Sequence, residues 1–183
     1  MNDFPTRQEA ILFLYRSGCP EGVVKHSIFV SKIALEIAEA CKRNGVNVDT
    51  RIVQAGSILH DVGRCVTHDV RHGVIGASLA KAAGFPEAIV QMIENHVGAG
   101  ITEDEAVQLG LPAKNYMPRT LEEKIVVYAD KLVRKERRLT VKEATESLSR
   151  DLGSKNPAIS RFKQLHEELS RLIEVDCRGA SSP

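Results

Sequence analysis

Six residues of this chain are of types that hold divalent cations, and their spacing places them on the inward sides of successive helices: His26, His60, Asp61, His72, His96 and Asp130. His26 shares a helical stripe with Phe29, Ile33 and Ile37. His60 follows Val53 and Gly56, and His96 follows Ile89 and Met92, at helical intervals. His72 precedes Ile75, Gly76, Leu79 and Ala83 in the same way. Each imidazole therefore points where the apolar face of its helix points. Such faces converge on one core, and imidazoles gathered there need partners for their ring nitrogens. A divalent metal is an economical partner, since neutral imidazole is a common metal ligand. A single histidine on an apolar stripe is more often a satisfied core residue. His166, between Phe162 and Leu169, is read that way, and His68 falls in a loop.

The dipeptide His60-Asp61 strengthens the metal reading. Adjacent helical side chains diverge, so both reach one ion only near a helix end, and Gly63 marks such an end. Asp61 adds a hard oxygen to the imidazole nitrogens. Asp130 sits inside the apolar run IVVYADKL, where a carboxylate is costly unless it is paired or coordinating. The competing role for Asp130 is an ordinary salt bridge to Lys131 or Arg134.

The ordered set His26, His60-Asp61, Asp130 resembles the HD superfamily of metal-dependent phosphohydrolases. The segment LHDVGR, Leu59 to Arg64, is similar to the extended HD-I-G-K motif of that family, with Val62 and Arg64 as departures. The resemblance covers about residues 20–135. It implies an all-α fold, a compact helical bundle with a C-terminal helical appendage. It also implies one or two divalent ions (Mn, Mg, Fe, Ni, Co or Zn) at the four-residue set. His72 with Gly76-Ala77, followed by Asn95-His96, resembles the extra histidine pair of dinuclear members. On that analogy His26, His60, Asp61 and Asp130 hold one metal, and His72 and His96 hold a second, bridged by Asp61. The alternative role for His72 and His96 is substrate contact around a single metal. The GYP motif of the HD-GYP phosphodiesterases is absent: VGAGITEDE follows His96.

The function implied is hydrolysis of a nucleotide or other small phosphate ester. A metal ion polarises a phosphoryl oxygen and activates water. Asp61 and Arg64 are the expected catalytic residues, Asp61 orienting or deprotonating the water and Arg64 holding a phosphate oxygen with its fork. Arg71 and Lys131 are read as solvated surface charges. Two alternatives stay open: a di-iron oxygenase of the same superfamily, and a non-catalytic nucleotide-binding regulatory module.

These side chains must be positioned by helices. Periodicity predicts helices from about Thr6 to Ser17, from Val23 to Arg43, and from an Asp49 cap through His60. Arg64 to Arg71 reads as a loop. Further helices are expected from His72 to Ala83 and from Pro86 to near His96. Thr102, Thr120 and Thr140, each with Glu three residues on, read as capping boxes. The first starts a short helix inside the otherwise looping stretch 97–119, a candidate substrate lid. The others start helices through Asp130 and through Ser149. A last helix near Pro157 to Val175 carries Phe162, Leu165, Leu169, Leu172 and Ile173 on one stripe. Residues 1–139 are expected to form the HD domain, 140–176 to pack on the same core, and 177–183 to be a flexible tail.

A hydrophobic fraction of 43% supports a real core, and 4% aromatics with no Trp make that core aliphatic. The net charge of +1 gives no strong signal for nucleic acid. No apolar run approaches the ~18 residues of a membrane span. The four cysteines, Cys19, Cys41, Cys65 and Cys177, form no metal or redox motif and read as free thiols. A cytoplasmic protein is expected, with no membrane partner and an oligomeric state left open.

Overall fold

Local capping chemistry sets where the helices begin. Thr6, Thr102 and Thr140 each accept from the backbone three residues on, and Glu9, Glu105 and Glu143 reach back to complete the boxes. Asp49 accepts from the Arg51 amide. Thr120 caps its helix too, but its box is half formed: the Glu123 carboxylate takes the Arg119 amide and the Asn95 side chain instead. A residue expected to cap is thus diverted into the scaffold beside His96.

The structure is a computed structural model describing residues 4–174. Its helices are α1 (Arg7–Arg16), α2 (Glu21–Arg43), α3 (Thr50–Leu59), α4 (His72–Ala82), α5 (Glu87–Asn95), α6 (Glu103–Gln108), α7 (Leu121–Lys131), α8 (Val141–Leu152) and α9 (Pro157–Ile173). A 3-10 turn, Val62–Cys65, lies between α3 and α4, inside the stretch read from sequence as a glycine followed by a loop. A small antiparallel hairpin, β1 (Val133–Arg134) and β2 (Arg137–Arg138), follows α7. The fold is all-α apart from this hairpin.

Helix α3 occupies the centre. Val53, Ala55, Gly56, Ser57, Ile58 and Leu59 are all buried, and the helix touches α1, α2, α5 and α7. Bare Gly56 lets α5 close in, since a Cβ there would meet the Met92 sulfur. One apolar cluster joins α2, α7, α8 and α9, and a second joins α1, α3, α4 and α5. The histidine–aspartate cluster draws its residues from both sides of that division.

Helix α9 buries Phe162, Leu165 and Leu169 against α7 and α2. Phe162 is fully buried and stacks on Tyr128, whose hydroxyl pairs with His166 at 2.8 Å. His166 is a satisfied boundary residue, as its placement suggested. Truncating a side chain packed like Phe162 costs about 3–5 kcal/mol. The C-terminal helices therefore brace α7, the helix that carries Asp130. Helix α8 runs to Leu152, three residues past its expected end, and stops at Gly153 with φ 91°. Val175 and Cys177 to Pro183 lie outside the described residues. Residues 97–119 form a small packed unit of their own, with Ile101, Ala106, Leu111 and Tyr116 buried together.

Candidate metal centre

All six expected ligands lie at helix ends or on inward faces, and they meet. His60 and Asp61 follow the last turn of α3, His72 opens α4, His96 closes α5, His26 lies on α2 and Asp130 near the end of α7. His26 and Asp130, 104 residues apart, have Nε2 and Oδ1 at 3.0 Å. His60 Nε2 is 3.5 Å from the same Asp130 oxygen. His60 and His96 are almost fully buried, as are Asp61 and His72.

Asp61 stands at the centre with its two oxygens facing different ways. Oδ2 faces His26 Nε2 at 3.9 Å and His60 Nε2 at 3.7 Å. Oδ1 faces His72 Nε2 and His96 Nε2, each at 3.3 Å. The ligand atoms of His26, His60 and Asp61 lie within 4.8 Å of one another, and so do those of Asp61, His72 and His96.

The tautomers are set by the backbone. His60, His72 and His96 each bring Nδ1 to a carbonyl three residues earlier, at 2.7 Å from Ser57, 2.6 Å from Asp69 and 2.7 Å from Ile93. Each Nδ1 donates there, so each neutral ring turns an Nε2 lone pair inward. His72 and His96 then face each other Nε2 to Nε2 at 3.0 Å, with Asp61 Oδ1 close to both. Lone pairs gathered in this way repel unless a cation lies among them. His60 Nε2 and Asp61 Oδ1 are buried with no hydrogen-bond partner. Buried polar atoms without partners are costly, and this donor set fits a divalent ion on each side of Asp61.

Protonation follows the same geometry. Burial presses His96 down to about 4, with the charges of His60 and His72 adding to it against the pull of Asp61, so the ring is neutral at pH 7. Burial opposes ionisation of Asp61, but the charge of His60 and the His72 and His96 contacts outweigh it and hold the carboxyl well below its ordinary range. Burial likewise opposes ionisation of Asp130, and Lys131 with His26 and His60 holds it well below that range. Both carboxylates are therefore ionised at neutral pH, as metal ligation would require.

Behind the cluster, Asn95 Nδ2 donates to Glu123 Oε2 at 3.1 Å, tying the end of α5 to α7. In front of it lies a pocket of about 370 Å³, walled in part by Arg64, Lys131, Arg134 and Ser147. Arg64 Nε sits 2.7 Å from Asp61 Oδ2. Lys131 differs from the sequence reading of a solvated charge: its side chain is 16% exposed, and its Nζ reaches Asp130 Oδ2 at 2.6 Å. Asp130 therefore makes the salt bridge that was its competing role with one oxygen and faces the histidines with the other. Arg71 is exposed and paired with Asp69, a surface charge as read from sequence. Arg134 and Ser147, which pair with each other, had no periodic signal to mark them. Cys19 is a buried thiol pushed up to about 12 chiefly by burial, and Cys19, Cys41 and Cys65 are all free.

Comparison with known proteins places this geometry. The HD domain family model matches residues 23–135. Over 166 residues the chain is 42% identical to an uncharacterized protein of Methanocaldococcus jannaschii, covering 91% of this chain and 98% of that one. It is also 36% identical over 172 residues to a tRNA (cytidine(56)-2'-O)-methyltransferase of Picrophilus torridus, covering 94% of this chain but 48% of that protein. The chain thus spans about half the length of that relative. In fold it is similar to the HD domain of the L. monocytogenes phosphodiesterase PgpH, solved with cyclic-di-AMP, with a TM-score of 0.52 and 18% identity over 94% of this chain and 99% of the other. No helix among the described residues is long and apolar enough to cross a membrane. With the family match spanning more than half its length, this chain belongs to the HD-domain family.

Proposed function

We propose that this chain is a metal-dependent phosphohydrolase acting on a nucleotide or other small phosphate ester. The observation that carries the reading is the split environment of Asp61, one oxygen turned to each of two histidine pairs. His26, His60, Asp61 and Asp130 would hold one divalent ion, and Asp61, His72 and His96 a second. Bound ions would supply Lewis-acid polarisation of a phosphoryl oxygen and activation of water. A mixed nitrogen and oxygen donor set accepts several divalent ions, including Mn, Mg, Fe, Ni, Co and Zn.

The chain's own residues supply the rest. Arg64, Lys131 and Arg134 place positive charge along one side of the pocket, which suits a phosphate oxygen. Arg64 is tethered at Nε by Asp61 and at Nη1 by the His68 carbonyl, 3.4 Å away, leaving Nη2 to bind substrate. Asp61 is too acidic to take a proton readily at neutral pH, so its part is to ligate and orient. Burial of His60, His72 and His96 keeps bulk water off the inner face.

The test is elemental analysis of unchelated protein, then a screen of metals against p-nitrophenyl phosphate, bis(p-nitrophenyl) phosphate and nucleotides. Hydrolysis reduced at least ~100-fold by Asp61→Ala is expected. Dioxygen consumption by the ferrous protein would favour the oxygenase reading instead. A nucleotide-dependent rise in melting temperature with no turnover would favour the regulatory one.

A further inference from the structure

Two thiols meet behind the turn that follows Asp61. Cys19 lies in the link between α1 and α2, and Cys65 closes the 3-10 turn Val62–Cys65. We propose that Cys19 and Cys65 are a disulfide-forming pair, joined on exposure to a peroxide by a bond that staples the start of α2 to the turn between Asp61 and His72. The proposal does not depend on the reaction at the metal centre.

The backbones that carry the two sulfurs are both fixed. Gly18, at φ 80°, ends α1, and the Cys19 amide donates to the Leu14 carbonyl at 3.0 Å. This closes a Schellman motif with Cys19 as its apolar outer residue. Across from it, the Val66 and Thr67 amides donate to the Gly63 carbonyl at 3.0 and 3.1 Å and hold the end of the turn. The Cys19 thiol donates to the Val62 carbonyl at 3.4 Å. In a 3-10 turn that carbonyl points at the residue three places on, which is Cys65. The Cys65 thiol and amide both interact with the Cys19 sulfur. Cys19 is buried in the apolar cluster of α1, α3, α4 and α5, and Cys65 packs against that cluster while part-exposed.

Three roles can be weighed for the pair. A thiolate metal site needs more ligands, and among the described residues neither sulfur belongs to a group of three donor atoms close enough to share an ion. Inert packing suits a sealed thiol such as Cys41, which is fully buried in the other cluster, but Cys65 is open to small solutes. A disulfide uses both features, an entry at Cys65 and a second thiol held against it. Burial pushes the Cys19 thiol up to about 12, so Cys65 reacts first. The Cys65 sulfur takes one oxygen from the peroxide, which leaves as water, and becomes a sulfenic acid. The Cys19 sulfur then attacks it: the S–O bond breaks, the S–S bond forms, and the hydroxyl leaves with the Cys19 proton as water. Two thiols are oxidised and one peroxide is reduced. Because Pro20 starts α2, the helix of His26, the bond ties one side of the ligand cluster to the turn beside the other.

The experiment treats the folded full chain, reduced and then freed of reductant and iron, with a slight excess of hydrogen peroxide. Alkylation and tryptic mass mapping follow. The free thiols are expected to fall from four to two, with a cross-link between the peptides 17–25 and 65–71 that dithiothreitol reverses. The oxidised chain is expected to melt about 5 °C or more above the reduced one, since the bond closes a long loop in the unfolded chain. Cys65→Ala, which leaves the buried Cys19 in place, is expected to form no cross-link and to show no such difference. Cys65 carried on to the sulfinic acid without a cross-link would overturn the proposal. So would both thiols staying open to alkylation after denaturation, or a bond that maps to other cysteines. A Cys19–Cys65 bond that lowers the melting temperature would overturn the staple.

Discussion

Gly63 lies directly against the backbone of His72: a Cβ on Gly63 would stand 2.0 Å from the His72 carbonyl oxygen and 2.7 Å from the Gly76 amide nitrogen. Gly76 is equally tight, with Ile93 at 2.9 Å and the Gly63 amide nitrogen at 3.0 Å from its notional Cβ. The two glycines let the 3-10 turn butt against α4, and this closeness brings Asp61 to His72. The glycine after His-Asp and the glycine four residues after His72 are two halves of one contact.

Gly63→Ala should therefore damage the centre without touching a ligand. The methyl group meets backbone, which has nowhere to go, so a loss of about 1–3 kcal/mol or more is expected. The start of α4 should be pushed off, taking His72 from Asp61. Urea unfolding checks the stability. Metal titration should show weakened uptake, and unchanged affinity would count against the role assigned to this contact.

Metal uptake should release protons. Burial disfavours the charged form of His60, but the charges of Asp61 and Asp130 outweigh it and raise its pKa above 6.5. A ligating imidazole must be neutral, so affinity should fall about tenfold for each pH unit below that raised value. Calorimetric titrations at pH 6 and pH 8, in buffers of different ionisation enthalpy, check this. Affinity independent of pH, with no proton released, would contradict it.

The metal-free protein should be acid-sensitive, with the sign set by two histidines. His60, raised, contributes stability that is full below pH 6.5 and lost as pH rises through its folded value. His96, lowered to about 4 from 6.5, contributes stability present above 6.5 and lost as pH falls toward 4. Between pH 6.5 and 4 the His60 contribution stays full while the His96 contribution drains away, so the melting temperature of the metal-free form should fall across that window. A flat or rising profile would contradict the neutral state assigned to His96.

The hairpin after α7 carries strain that can be removed. Lys135 and Glu136 sit at φ 48° and 57°, left-handed backbone that suits Asn and Gly rather than these residues. Lys135→Asn with Glu136→Gly should stabilise the protein by about 1 kcal/mol, read as a higher urea midpoint with an unchanged slope. An unchanged or lowered midpoint would show that the turn is not strained.

Much of this was legible in the residues. Stripe position and the His60-Asp61 dipeptide picked out the cluster because a ligand must face inward, and inward faces have a period. The caps at Asp49, Thr102 and Thr140 were legible because the bonding is local. What escaped was tertiary. Nothing in the VRKERR run alternates or carries Asn-Gly, so the hairpin left no mark. Lys131 looked solvated because burial of a long side chain depends on its neighbours, here Asp130. Glu123 read as half of a capping box because the rival partner Asn95 lies 28 residues away.

The most direct measurement is the number of divalent ions per chain, by native mass spectrometry on wild type and on His26→Ala, His72→Ala and Asp61→Ala. The account predicts two in wild type, one after loss of either histidine, and none without Asp61, whose oxygens serve both sides. A wild-type chain that takes up no ion, or an Asp61→Ala chain that still holds two, would contradict it.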